Sequence, residues 1–287
     1  MWSSRRLASV GLAVWLGGGA AALAGGFAGV DSGVETTDNV TRAVFAADRE
    51  TETFGFVEPS AGWRLQPSTA HSLFLGARLR LAVAARADGL THYAPEAAVR
   101  WQGKTRLGAD APRWIARLRA EWLGFRSDVR RGWHYEASIG YAAPAGRRFW
   151  VSAEANALTR DADSAAFSQD ALGLELRAEW RASRRWRVYA VYGARDGDVT
   201  STATPAAIDP RVGPILASST ARVEDDAFPG KVAYRLDGLS QRLELGANGA
   251  LTRNGAFDLR YRFESTDAGA GIDYHASLVR AAWLLRF

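Results

Sequence analysis

Leu278–Phe287, LVRAAWLLRF, is the stretch that decides the fold. Val279, Ala281, Trp283, Leu285 and Phe287 alternate with Leu278, Arg280, Ala282, Leu284 and Arg286. A two-residue period puts the first set on one face of a β-strand and the second set on the other. The first face is apolar along its whole length and finishes on an aromatic. At the edge of a water-soluble sheet such a strand is an aggregation hazard. On the outside of a closed transmembrane barrel it faces hydrocarbon, and its charged alternates face the lumen.

The same alternation recurs upstream between turn-forming residues. Leu73, Leu75, Ala77, Leu79, Leu81 and Val83 oppose Phe74, Gly76, Arg78 and Arg80. Trp114, Ala116, Leu118, Ala120 and Trp122 oppose Arg117, Arg119 and Glu121. Leu172, Leu174, Leu176, Ala178 and Trp180 oppose Glu175, Arg177 and Glu179. Wound into a helix, this pattern would scatter its apolar residues around every side. The pattern predicts strands near 27–35, 51–65, 71–86, 92–103, 113–125, 132–142, 148–158, 171–181, 185–195, 240–251 and 256–265, with the terminal one last. The fold class expected is all-β: a transmembrane antiparallel up-and-down barrel of about 12 strands, with 10 or 14 open as alternatives. Short connections near 66–70, 143–147, 182–184 and 252–255 read as periplasmic turns. The connection 104–112 is long for that side. The segment 196–238, rich in Thr, Pro, Ala and Asp, reads as one long outer loop, although 232–236 also alternates and could extend the following strand.

Composition narrows the setting. The 287 residues contain no cysteine, which removes a disulfide framework and thiolate metal sites. A mean hydropathy of −0.17 looks soluble, yet a barrel whose faces alternate averages to the same value. The net charge of +5 comes from singly spaced basic residues and not from a basic run, so nucleic acid is not an expected partner. At the start, Arg5 and Arg6, the apolar run from Leu7 to Leu16, and Ala22-Leu23-Ala24 read as a cleaved signal peptide over 1–24. The barrel domain is then 25–287.

Most tryptophans fall on the apolar face near strand ends, where the ring suits the headgroup region. Together with Trp283, Leu285 and Phe287, this resembles the Gram-negative outer-membrane β-barrels, in which a terminal aromatic with apolar residues at alternate positions is the signal read by the barrel assembly machinery. The stretches VDSGVETTDNVTRA (30–43) and YRLDGLSQRLELGANGALTRNGAFDLRYRF (234–263) look like the opening and closing parts of β-barrel porins. The resemblance implies residence in the outer membrane, contact with its lipid and lipopolysaccharide, and assembly by that machinery. It carries no solute and no oligomeric state.

Parity assigns a charged inner face. Arg78, Arg80, Arg100, Arg117, Arg119, Arg177, Arg187, Arg242, Arg260, Arg262 and Arg280 point inward, with Glu121, Glu136, Glu154, Glu175, Glu179 and Glu244 among them. These are the expected pore-lining residues. Small inward residues such as Gly62, Gly76, Gly140, Gly173, Gly193 and Gly246 are expected to leave space. The leading expectation is a channel for small polar or anionic solutes moving by passive diffusion. The alternatives are a non-conducting barrel that anchors or presents the 196–238 loop, and a lipid hydrolase built on His275 and Ser277. No catalytic residue, metal ligand or cofactor is expected. His134 and Glu136 read as a polar pair on the lumen face. Asp161, Asp163, Asp170, Glu224, Asp225 and Asp226 read as solvated loop charge.

Overall fold

A computed structural model describes residues 23–108, 110–269 and 272–287. The expected signal peptide lies outside these residues except for Leu23 and Ala24, which open the first strand. The strands are β1 (Leu23–Thr37), β2 (Glu52–Gln66), β3 (His71–Ala84), β4 (His92–Lys104), β5 (Arg113–Phe125), β6 (Gly132–Pro144), β7 (Phe149–Ala162), β8 (Gln169–Arg181), β9 (Trp186–Ala203), β10 (Ala221–Glu224), β11 (Val232–Ala250), β12 (Gly255–Asp267) and β13 (Asp273–Arg286). Each pairs antiparallel with its neighbour in sequence, apart from β10. The sheet closes because β1 also pairs with β13, and β9 with β11. The four-residue β10 pairs only with the first residues of β11. The wall is therefore a closed barrel of twelve strands.

Short turns at 67–70, 145–148, 182–185 and 251–254 lie at one end, called inner here. The long 105–112 connection also lies at that end, where Thr105 and Pro112 pair to close it. The outer surface is an apolar band. Leu118 is 62% exposed and Leu172 68%, which in a water-facing sheet would be an unprotected hydrophobic surface and in a bilayer is contact with lipid. Aromatic pairs edge the band at both ends: Trp114 with Tyr141 (5.1 Å) and Phe149 with Trp180 (6.2 Å) at the inner end, Trp122 with Trp133 (5.4 Å) at the outer.

The long-loop expectation is corrected. β9 continues to Ala203 and β11 begins at Val232, so the connection is 204–231 and contains a short helix, α1 (Gly213–Ser218), as well as β10. Residues 199–203 carry no alternating apolar signal because they rise above the lipid and are buried on both sides. The connection does not project as a surface arm. It crosses the mouth. Asp225 bonds Arg130 at 2.6 Å, Asp226 bonds Ser127, and Phe228 packs with Leu90 and Phe54. A Cβ on Gly89 would fall 2.6 Å from the Ala227 Cα, so the approach requires glycine there. Loops 85–91 and 126–131 stand across the barrel from the β9–β11 seam.

The connection 38–51 folds in beside it. Thr202 N–H donates to the Thr41 carbonyl (2.9 Å), Thr204 N–H to Asp48 (3.0 Å), and Lys231 pairs with Glu50 (2.7 Å). Val199, Val212, Ile215, Leu216, Tyr234 and Ile272 form an apolar core between the two loops. Asp225 is thus a buried anchor and not solvated charge, and Asp226, itself exposed, is tied to Ser127 and to the Asp128 N–H. Burial between Phe167 and Phe228 pushes the Arg130 guanidinium below its usual range, with Asp225 acting against that shift. Glu264 holds the Arg42 guanidinium above its usual value.

Candidate functional site

Inside the wall lies a cavity of about 950 Å³, bounded by β4–β9, β11 and β12. Of the residues expected inside, Arg100, Arg117, Arg119, Glu136, Glu154, Glu175, Arg177, Glu179, Arg187, Arg242, Glu244, Arg260 and Arg262 border this space. Arg78, Arg80, Glu121 and Arg280 also face inward but do not border it. Three of these are packed around Glu58, which is 3% exposed: Arg80 reaches it at 2.5 Å, Arg280 at 3.5 Å and Arg78 at 3.7 Å. Phe56 lies under Arg80 and Arg280, with its ring centroid 4.9 and 4.3 Å from the two guanidinium carbons. The lumen is thus filled along β1–β3 and β13 and open on the other side.

Register explains the charge pattern. Inward residues of adjacent strands face one another, so an acid opposite a base makes a pair and a base opposite a base does not. Arg119 lies opposite Glu136 and bonds it at 2.6 Å, reaching Glu96 at 3.4 Å. Arg242 reaches Glu175 over Gly193, and Arg262 bonds Glu244 at 3.0 Å. Arg100, by contrast, lies opposite Arg117. The nearest carboxylate to that pair is Glu154, 4.0 Å from Arg117. Around the cavity stand eleven arginines and six carboxylates. Among the described residues, Arg100, Arg113, Arg181 and Arg195 have no carboxylate partner.

The expectation that inward glycines leave space is corrected at Gly62, Gly173 and Gly246, whereas a Cβ on Gly76 would make only ordinary contacts. A Cβ on Gly62 would sit 2.6 Å from the Phe27 ring, one on Gly246 2.2 Å from Tyr189, and one on Gly173 2.6 Å from Asn156. These glycines let a neighbouring side chain lie flat against the wall. The borders that sequence alone did not single out include Arg113, Trp150, Arg181 and Arg195. Trp150 shares its face of β7 with Ser152, Glu154 and Asn156, which also border the cavity. It lies under Arg113 at 4.8 Å. Arg113 opens β5 and Arg181 ends β8, while Arg195 lies midway along β9, which runs on beyond it to Ala203.

His134 pairs with Glu121 at 3.6 Å and not with Glu136, because Glu121 is its cross-strand neighbour. His275 and Ser277 face outward. The His275 ring stacks on Phe263 (5.6 Å), and Ser277 Oγ lies 3.4 Å from the Tyr261 hydroxyl. No hydrogen bond joins the His275 ring to Ser277 among the described residues. Among the same residues no group of three or more His, Asp or Glu is arranged to hold a metal ion.

No family model and no curated protein matches the sequence. The fold does have solved counterparts. It is similar to the COG4313 outer membrane channel from Pseudomonas putida F1, with a TM-score of 0.60 at 10% identity, over 91% of this chain and 95% of that one. Weaker similarity extends to a KdgM porin in complex with disordered oligogalacturonate (0.47, 6%, 90% of this chain and 99% of that one). A NanC porin is likewise similar (0.47, 7%, 89% and 98%). The chain has the closed twelve-stranded barrel fold of outer-membrane channels and porins.

Proposed function

We propose that this barrel resides in a bacterial outer membrane and passes small polar or anionic solutes by passive diffusion, with the lumen arginines favouring anions. The observation that carries the reading is the excess of arginine over carboxylate around the 950 Å³ cavity, concentrated where Arg100 and Arg117 face each other. In a confined, low-dielectric lumen an unmatched row of one sign recruits counter-ions of the other. Passive diffusion of this kind involves no reaction and no cofactor. The protein's partners are the solute, the surrounding lipid and lipopolysaccharide, and the assembly machinery, for which the outward row Trp283, Leu285 and Phe287 is the proposed mark.

The test is ion selectivity of the refolded protein in a planar bilayer. Arg100→Gln with Arg117→Gln should move the reversal potential toward cations. A second reading, a barrel sealed at its outer mouth, is favoured by the way loops 38–51 and 204–231 cross that mouth. Conduction then requires those loops to part, and a barrel with no discrete conductance would favour the sealed reading.

A further inference from the structure

Beneath the two crossing loops lies a second cavity, of about 390 Å³. Its lining differs in kind from that of the lumen below. Inward parity in a porin-like wall calls for polar residues. Here it delivers Leu123 and Phe125 from β5, Leu158 from β7 and Leu278 from β13, joined by Phe54 and by Phe167 from loop 163–168. An apolar wall therefore stands inside the barrel, under a roof built by residues 39–42.

Five arginines reach this chamber, and three of them are matched. Arg42 pairs with Glu264, Arg130 with Asp225 and Arg262 with Glu244. Arg160 and Arg195 have no carboxylate partner among the described residues. Arg160 donates from Nη2 to the Arg130 carbonyl (2.7 Å), while its Nε is buried with no partner. His134 Nε2, also on the chamber wall, is buried and unpartnered too. Cations held against apolar surface are costly unless an anion matches them. Inorganic anions could supply the charge but would leave the leucine and phenylalanine wall uncovered. A neutral hydrocarbon would cover the wall and leave the cations unmatched. The volume lies within the range of small-molecule sites.

We infer that this chamber binds an amphipathic organic anion, a small aromatic carboxylate, with its carboxylate on Arg160 and Arg195 and its ring against Leu123, Phe125 and Leu158. Arg195 and Arg262 border both cavities, so the chamber lies between the lumen and the crossing loops. The inference stands whether or not the barrel conducts, because binding can be read without current.

The experiment is calorimetric titration of the refolded full chain in detergent with benzoate, acetate and benzyl alcohol. Benzoate should bind saturably at one site, and acetate and benzyl alcohol each at least about tenfold more weakly, since each lacks one of the two interactions. Arg160→Gln should weaken benzoate by about tenfold, and Arg160→Lys, which keeps the charge, should restore part of the loss. Leu158→Trp, which fills the chamber while Arg160 stays, should abolish binding. Circular dichroism confirms that each variant is folded. Absence of saturable benzoate binding, equal binding of benzoate and acetate, or an Arg160→Gln protein that binds like the parent would each overturn the inference.

Discussion

Glu58 shows how much a single inward residue decides. It is a buried carboxylate with three guanidinium groups within 4 Å. Removing its charge would leave Arg280 with no carboxylate, while Arg80 keeps Glu35 (2.7 Å) and Arg78 keeps Glu96 (2.7 Å). Glu58→Gln should cost about 3–5 kcal/mol of barrel stability, the range for breaking a buried ion pair from one side. The midpoint of urea unfolding in detergent measures this. An unchanged midpoint would mean that water already screens the cluster. Such residues were legible by parity alone, since Glu58 falls on the inner face of its strand. Their partners were not, because pairing follows from register across strands, as the change of His134's partner from Glu136 to Glu121 shows.

At the scale of elements, β13 was the most legible because both of its faces obey one rule along its length. Its partner β1 has a weaker pattern: Val30 and Val34 face out, and Phe27 lies inward on Gly62. The seam between them is fastened at the last residues. Phe287 N–H donates to the Ala28 carbonyl (2.9 Å), and Arg286 pairs with Asp31. Phe287 is itself 75% exposed, so its ring adds little packing within the barrel. Deleting Phe287 should therefore leave refolding in detergent nearly intact and lower the fraction inserted in the outer membrane of cells. Heat-modifiable gel mobility of membrane fractions reads that fraction. Equal insertion of the two proteins would remove the assembly role. The upper part of β9 was the least legible, since above the lipid both of its faces are covered by loops and the two-faced rule no longer holds, whereas the upper part of β11 was signalled by the alternation of 232–236.

At the scale of the molecule, twelve strands make a lumen and two connections roof it. Strand count and inside–outside assignment follow from alternation, but the roof does not. Its contacts join residues nearly a hundred positions apart, such as Ser127 with Asp226, and polar loop composition gave no sign of them. The chain has no cysteine, so the roof can be locked cleanly. With Ser127→Cys and Asp226→Cys, oxidation should lower conductance and reduction restore it, if these loops part during passage. Conductance that ignores the redox state would place the route elsewhere.

The most direct test of the central claim is the reversal potential of the refolded protein in a planar bilayer under a potassium chloride gradient. The arginine excess predicts discrete conductance with chloride favoured over potassium, and a shift toward potassium in the Arg100→Gln, Arg117→Gln protein. A cation-selective pore, or a reversal potential that the two substitutions leave in place, would contradict it.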